Sequence, residues 1–174
     1  TAQHVRDDFG DAVSLILDGG PTHVGIESTI VDFTGTAPAL LRPGGIDAAA
    51  IADVLGAPLQ AADAQAPRAS GTLASHYAPK TRAHLVPSHA LLAEIAQHDD
   101  RDERVAVLAR TVREPPDFDG AWFAASDDSD EYARALYAAL RELDAAKADS
   151  LLIEAVPDTP AWQAVRDRLQ RATH

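Results

Sequence analysis

The stretch LLIEAVPDTPAWQAVRDRL, residues 151–169, decides how the second half of the chain folds. Residues 151–156 (LLIEAV) make a near-continuous apolar run, the pattern of a strand buried on both faces of a parallel sheet. Pro157 and Asp158 break the run. Thr159 as N-cap and Pro160 at the first helical position then open a helix whose Trp162, Val165 and Leu169 share one face. The same alternation of strand and helix continues toward the N-terminus. Ser129 caps the longest helix, with Tyr132, Leu136, Leu140 and Leu143 at helical spacing. Residues 122–125 and 105–109 read as strands, Ser88 caps a helix with Leu91, Leu92 and Ile95 inward, and residues 83–86 form the first strand of the series. Residues 81–174 are therefore expected to form a small open, mostly parallel α/β domain.

Before that domain the pattern changes. Residues 57–80 (APLQAADAQAPRASGTLASHYAPK) have the Ala, Pro, Ser and Gly content of a linker, although Leu73, His76 and Tyr77 are costly choices for a spacer. Residues 1–56 read as short strands and turns. Residues 13–17 (VSLIL) are a strand stopped by Asp18-Gly19-Gly20-Pro21. Residues 26–33 are a second, with Ile26, Ser28, Ile30 and Asp32 on one face, and residues 39–42 a third, closed by Pro43-Gly44-Gly45. Asp47 caps a short helix carrying Ile51, Val54 and Leu55, and Gly56 ends it; Val5 and Phe9 suggest a helix at the start. So few elements make a poor independent core, so this piece is expected to be the end of a larger domain.

Composition narrows the class. The 174 residues suit one ordinary domain or two small ones, and 46% hydrophobic with 24% charged residues excludes wholesale disorder. No run approaches the roughly 18 apolar residues of a membrane span, and no signal-peptide core opens the chain. The absence of Cys excludes disulfides, thiolate nucleophiles and Cys-ligated zinc. The net charge is −12, and both parts are acidic: residues 1–80 carry 4 basic against 9 acidic side chains, residues 81–174 carry 11 against 18. Phosphate neutralisation supplies most of the affinity for nucleic acid, so independent nucleic-acid binding is not expected. The expectation is a soluble, cytoplasmic protein with no membrane segment.

General motifs are scarce. Neither G-x-x-x-x-G-K-[ST] nor G-x-G-x-x-G is present, and the seven His residues show no metal-ligand spacing; His84, His89, His98 and His174 read as surface residues. Three places carry more. Glu27-Ser28-Thr29 puts a carboxylate and two hydroxyls into an apolar strand, where they either bond to backbone or form a site. Arg42, at a strand end before a tight turn, either clamps an anion or makes a surface salt bridge. His76 and Tyr77 put two hydrogen-bonding rings into the linker. Spacing alone leads to a ligand site for something anionic.

The segments THVGIESTIVDFT, ALLRPGGI and SGTLASHYAPKT, in that order, resemble the second half of the two-domain threonylcarbamoyl-AMP synthase family. YARALYAALRELDAAKADSLLIEAVP and the closing AVRDRLQRA resemble that family's C-terminal domain. The resemblance implies an α/β chain. Residues 1–56 would be the C-terminal part of a YrdC-like catalytic domain with a mixed twisted sheet. Residues 57–80 would be a linker with a lid motif, and residues 81–174 a Rossmann-like three-layer accessory domain. It implies a nucleotidyltransferase that condenses L-threonine, bicarbonate (or CO2) and ATP, with Mg2+, to threonylcarbamoyl-AMP and pyrophosphate. Other tRNA threonylcarbamoylation proteins would use that product downstream. Ser28 would hold L-threonine, Arg42 the ATP phosphates, and His76 and Tyr77 would close a lid over the nucleotide. No catalytic residue and no metal ligand is assigned.

Ser70-Gly71-Thr72 stands where the family usually has P-G-M. The family's K-x-R and S-x-N motifs, which make most ATP and threonine contacts, are not in this sequence, so the chain is expected to be a C-terminal piece without activity of its own. Two other readings remain. One is a non-catalytic α/β module that binds a nucleotide or partner protein. The other, a Ser/His hydrolase around Ser28 and His76, lacks a G-x-S-x-G elbow.

Overall fold

Glu154 and the four apolar strands around it organise the larger part of the protein. The computed structural model describes residues 1–63, 66–71 and 78–173. Strands β4 (Ala83–Val86), β5 (Val105–Ala109), β6 (Ala121–Ala124) and β7 (Ser150–Glu154) form one all-parallel sheet in the order β4-β7-β5-β6. β5 and β7 are central, and every residue in both is buried, as their unbroken apolar runs require.

Helices α3 (Leu91–Asp99), α4 (Ser129–Ala145) and α5 (Gln163–Ala172) cover the sheet. Tyr132, Leu136, Leu140 and Leu143 of α4 join Trp162, Val165 and Leu169 in one core cluster, while Leu91 of α3 packs with Val105, Val107 and Leu152 in a second. The expected parallel α/β layering is present.

Several local expectations are corrected. The cap of α4 is Asp128, one residue earlier than Ser129; its carboxylate accepts from the amides of Asp130 and Glu131 and suits the positive helix end. α3 starts at Leu91, because the hydroxyl of Ser88 is engaged instead with Glu154 (2.8 Å), and Leu92 faces solvent. Thr159 makes no capping bond, and a single 3-10 turn, Pro160–Trp162, precedes α5. His98 is buried, with its Nδ1 2.7 Å from the Glu103 carboxylate.

The first part of the chain is thinner. Helix α1 (Ala2–Phe9) and strands β1 (Ile30–Asp32), β2 (Ala39–Arg42) and β3 (Gln60–Ala61) accompany α2 (Ala48–Leu55). β1 and β2 pair antiparallel, Ile30 opposite Arg42, with an irregularity after Ile30; β3 pairs parallel with β2, so the sheet reaches into the stretch read as linker. α2 begins at the Asp47 cap and ends at Gly56 with φ 67°, as expected. Residues 13–17 are not a strand. No described strand offers them a ladder, and Leu15 and Leu17 are exposed. The second strand is shorter than residues 26–33, because residues 27–29 bond to the turn at residues 44–46 rather than to a strand.

Candidate functional site

Of the residues singled out in the sequence, Glu27-Ser28-Thr29 and Arg42 meet at the turn after β2. Arg42 is buried, yet its partners are carbonyl oxygens: Nε and Nη2 both donate to the carbonyl of Ser28 (3.2 and 2.9 Å), and Nη1 donates to that of Ser70 (2.7 Å). A surface salt bridge is therefore not its role in this fold. The forked guanidinium clasps one carbonyl with two donors and reaches a second, which a single ammonium could not reproduce.

Glycine makes this closeness possible at two points. A Cβ on Gly44 would fall inside contact distance of the backbone of Glu27, Ser28 and Thr29, and one on Gly71 (φ +72°) would strike Arg42 Nη1. The carbonyl of Glu27 accepts from the Gly45 amide (3.2 Å). The Thr29 hydroxyl donates to the Ile46 carbonyl (2.6 Å) and accepts from the Ile46 amide (3.2 Å). Of the Glu27-Ser28-Thr29 polar groups, Thr29 is thus bonded to backbone, whereas Ser28 is exposed.

Glu27 points the other way, to helices α4 and α5. Its Oε2 accepts from Arg168 Nε of α5 (2.7 Å) and from the Tyr137 hydroxyl of α4 (3.3 Å). Burial alone would raise the Glu27 pKa, but the Arg168 hydrogen bond and charge hold it below the ordinary value. Burial, followed by the Glu27 charge, pushes the Tyr137 phenol well above its usual range. The preceding segment lies on α4 as well: Arg134 Nε donates to the His23 carbonyl (2.8 Å), and Gly25 (φ +81°) packs against the backbone of Ala133 and Arg134. Further tethers run from the amides of Lys80 and Thr81 to Asp144 (3.1 and 2.8 Å) and from Arg141 to Asp8 (2.6 Å).

These contacts were missed in the sequence, although a signal existed. Arg168 falls among Val165, Leu169 and Ala172 on the buried face of α5, and a lone cation there demands a counter-charge.

A second polar cluster was also missed. Glu154, at the carboxyl end of β7 and fully buried, accepts from the amides of Arg110, Thr111 and Val112 (2.6, 2.8 and 3.2 Å) and from the hydroxyls of Ser88 and Thr111. Burial opposes its ionisation, but these donors win and hold its pKa at about 2. Successive amides at the carboxyl edge of a parallel sheet are a concavity for anions. Here the protein's own carboxylate fills it. Beside it the Arg110 guanidinium lies 5.3 Å from the Trp162 ring centroid and pairs with Asp127.

Among the described residues, cavities lie between the first part of the chain and helices α4 and α5. One of about 520 Å³ runs from His23 and the Gly44–Gly45 turn to the starts of α4 and α5. A larger one of about 1050 Å³ lies between α1, Glu27 and the Tyr137 face of α4. Ser28 and Arg42 line neither. His76 and Tyr77, the expected lid residues, lie outside the described residues, as does His174. Among the described residues no group of three or more His, Cys, Asp or Glu side chains could hold a metal ion, and no helix is long and apolar enough to cross a membrane.

Comparison with known proteins gives two family matches. Residues 46–173 match the family described as threonylcarbamoyl-AMP synthase, C-terminal domain, and residues 1–44 match one described as telomere recombination. Threonylcarbamoyl-AMP synthase of Pyrococcus abyssi is 30% identical over 99% of this chain and 53% of its own length. That of Bacillus subtilis is 32% identical over 98% and 52%. A putative threonylcarbamoyl-AMP synthase of Mycobacterium tuberculosis is 47% identical over 32% of this chain and 25% of its own length. The crystal structure of P. abyssi Sua5 complexed with L-threonine superposes with a TM-score of 0.87 at 30% identity, covering 99% of this chain and 53% of that one. The chain thus spans about half the length of the P. abyssi and B. subtilis relatives it matches.

Proposed function

Because the chain belongs to the threonylcarbamoyl-AMP synthase family, we propose that it supplies the second half of an L-threonylcarbamoyladenylate synthase acting in tRNA threonylcarbamoyladenosine formation. In this reading residues 1–56 are the end of the YrdC-like catalytic domain, residues 57–80 the linker with its lid, and residues 81–174 a Rossmann-like accessory domain. The observation that carries it is the contact of Arg42 with the Ser28 carbonyl, at 2.9 Å. Two motif residues, one for threonine and one for ATP, adjoin, as a condensation of those substrates needs.

Ser28 holds L-threonine from its exposed position. The carbamate formed from threonine nitrogen and bicarbonate attacks the α-phosphorus of ATP, supplied with Mg2+, and pyrophosphate leaves. Arg42 has five N–H groups, of which three are engaged with carbonyls, so two remain for a phosphate oxygen. Held by those carbonyls, the cation needs no reorganisation as charge develops. His76 and Tyr77 close over the nucleotide and exclude water from the labile mixed anhydride. The product passes to the proteins that transfer it to tRNA in the cytoplasm. Without the K-x-R and S-x-N motifs, residues 1–174 do not turn over alone.

The alternative, a nucleotide-binding α/β module, loses support at Glu154, whose carboxylate takes the amides that a phosphate would need.

Substitutions in a form of the protein matching its relatives in length (the full-length form) test the proposal. Arg42→Ala should lower ATP affinity or turnover efficiency about ten- to a hundredfold, the loss of a charge-assisted bond of roughly 1.5–3 kcal/mol. Arg42→Lys should recover little, while Ser28→Ala should raise the threonine KM and spare ATP. Arg42 also ties residues 28 and 70 together, so thermal stability falls in any case. Normal ATP binding by Arg42→Ala would overturn the assignment.

A further inference from the structure

The accessory domain reaches the residue next to Ser28. Arg168 is 3% exposed, set into the apolar face of α5, and its Nε ends on Glu27 Oε2 at 2.7 Å; Nη1 pairs with Asp167 at 2.5 Å. The Tyr137 hydroxyl of α4 meets the same Glu27 oxygen at 3.3 Å. Residues 27–29 are held from their own domain by backbone and hydroxyl bonds to residues 42–46. From the accessory domain the same three residues are held through the Glu27 side chain.

An exposed ion pair at this place would add little, and a buried one gains little over an apolar contact in stability. What this pair adds, with the Arg168 side chain 2% and the Glu27 side chain 26% exposed, is fixed geometry, because the buried cation is costly to leave without its partner. Ser28 follows Glu27 directly, so a shift of the Glu27 anchor is a shift of the Ser28 hydroxyl. We propose that Arg168 and Tyr137 are positioning residues through which the accessory domain sets the L-threonine seat at Ser28. This rests on the reading that Ser28 holds threonine. It gives the second domain a task in the reaction without any contact to substrate.

The test measures kcat and the separate KM values for threonine and ATP by pyrophosphate release in the full-length form. Glu27→Gln should raise the threonine KM about tenfold, with the ATP KM within about twofold of normal, since a displaced positioning group acts on the substrate it positions. Arg168→Lys should fall between Glu27→Gln and the unsubstituted protein, because one ammonium keeps the charge but not the separate Nε and Nη1 donors to Glu27 and Asp167. The double variant should be no worse than about the poorer single one, as expected for two ends of one contact. Tyr137→Phe, which removes one hydroxyl and keeps the packing, should raise the threonine KM about two- to threefold, and it serves alone if the Arg168 variants do not fold. Threonine and ATP KM rising together, or a lowered melting temperature with unchanged threonine KM, would overturn the proposal and leave the functional reading intact. Failure of the unsubstituted full-length protein to use threonine would overturn both.

Discussion

The parallel sheet and the mixed sheet differ in what covers them. Every residue of β5 and β7 is buried, whereas across β1, β2 and β3 the one buried residue is a cation, Arg42. The contrast extends beyond the sheets. Among the described residues, the buried hydrophobic ones all lie between Ala83 and Ala172, while the exposed large ones, apart from Leu92, lie between Val5 and Leu55. Apolar side chains are supplied to both regions, but only one region surrounds them. The polar residues of the proposed site belong to the uncovered region, held by carbonyl bonds on one side and by α4 and α5 on the other. Fold stability and site chemistry are therefore carried by different parts of the chain.

The largest expected effect breaks this contrast directly. Leu152→Ala, at a fully buried position in the middle of β7, should cost about 3–5 kcal/mol through lost burial and a residual cavity. Leu17→Ala, at 85% exposure, should change stability by less than about 0.5 kcal/mol. Denaturant unfolding of the two variants reads the difference, and equal costs would mean that the two regions share one core.

Legibility in the sequence follows the same divide. The strands at residues 83–86 and 105–109 were readable to the residue, and Tyr132, Leu136, Leu140 and Leu143 all reached the core, because local periodicity and tertiary packing agree there. Residues 13–17 failed as a strand because an apolar run says nothing about whether a ladder partner exists. At the candidate site, Ser28 and Arg42 were legible as motif residues, but their contact across the β1–β2 pairing was not. The Glu27–Arg168 pair joins residues 141 apart, a relation that no spacing rule reaches. Glu154 shows the same limit: a Glu within an apolar run signals a buried carboxylate, yet its five donors come from loops after β4 and β5.

A smaller effect sharpens the comparison through pH. Glu154 titrates at about 2 in the folded protein against an ordinary 4.5, so the folded state binds the proton less readily than the unfolded chain. Its contribution is present above about pH 4.5 and is lost as the pH falls toward 2, amounting to at most about 3 kcal/mol. Thermal unfolding followed between pH 7 and pH 2.5 should show this loss in the parent chain and a flatter profile, from a lower start, in Glu154→Gln. An unchanged slope in Glu154→Gln would place the acid sensitivity elsewhere.

The division of labour is tested most directly by ATP-dependent pyrophosphate release with L-threonine and bicarbonate, measured on the 174-residue chain and on the full-length form. The proposal that residues 1–56 are half a site predicts release by the full-length form and none above background by the chain alone. Turnover by the chain alone at the full-length rate would contradict it.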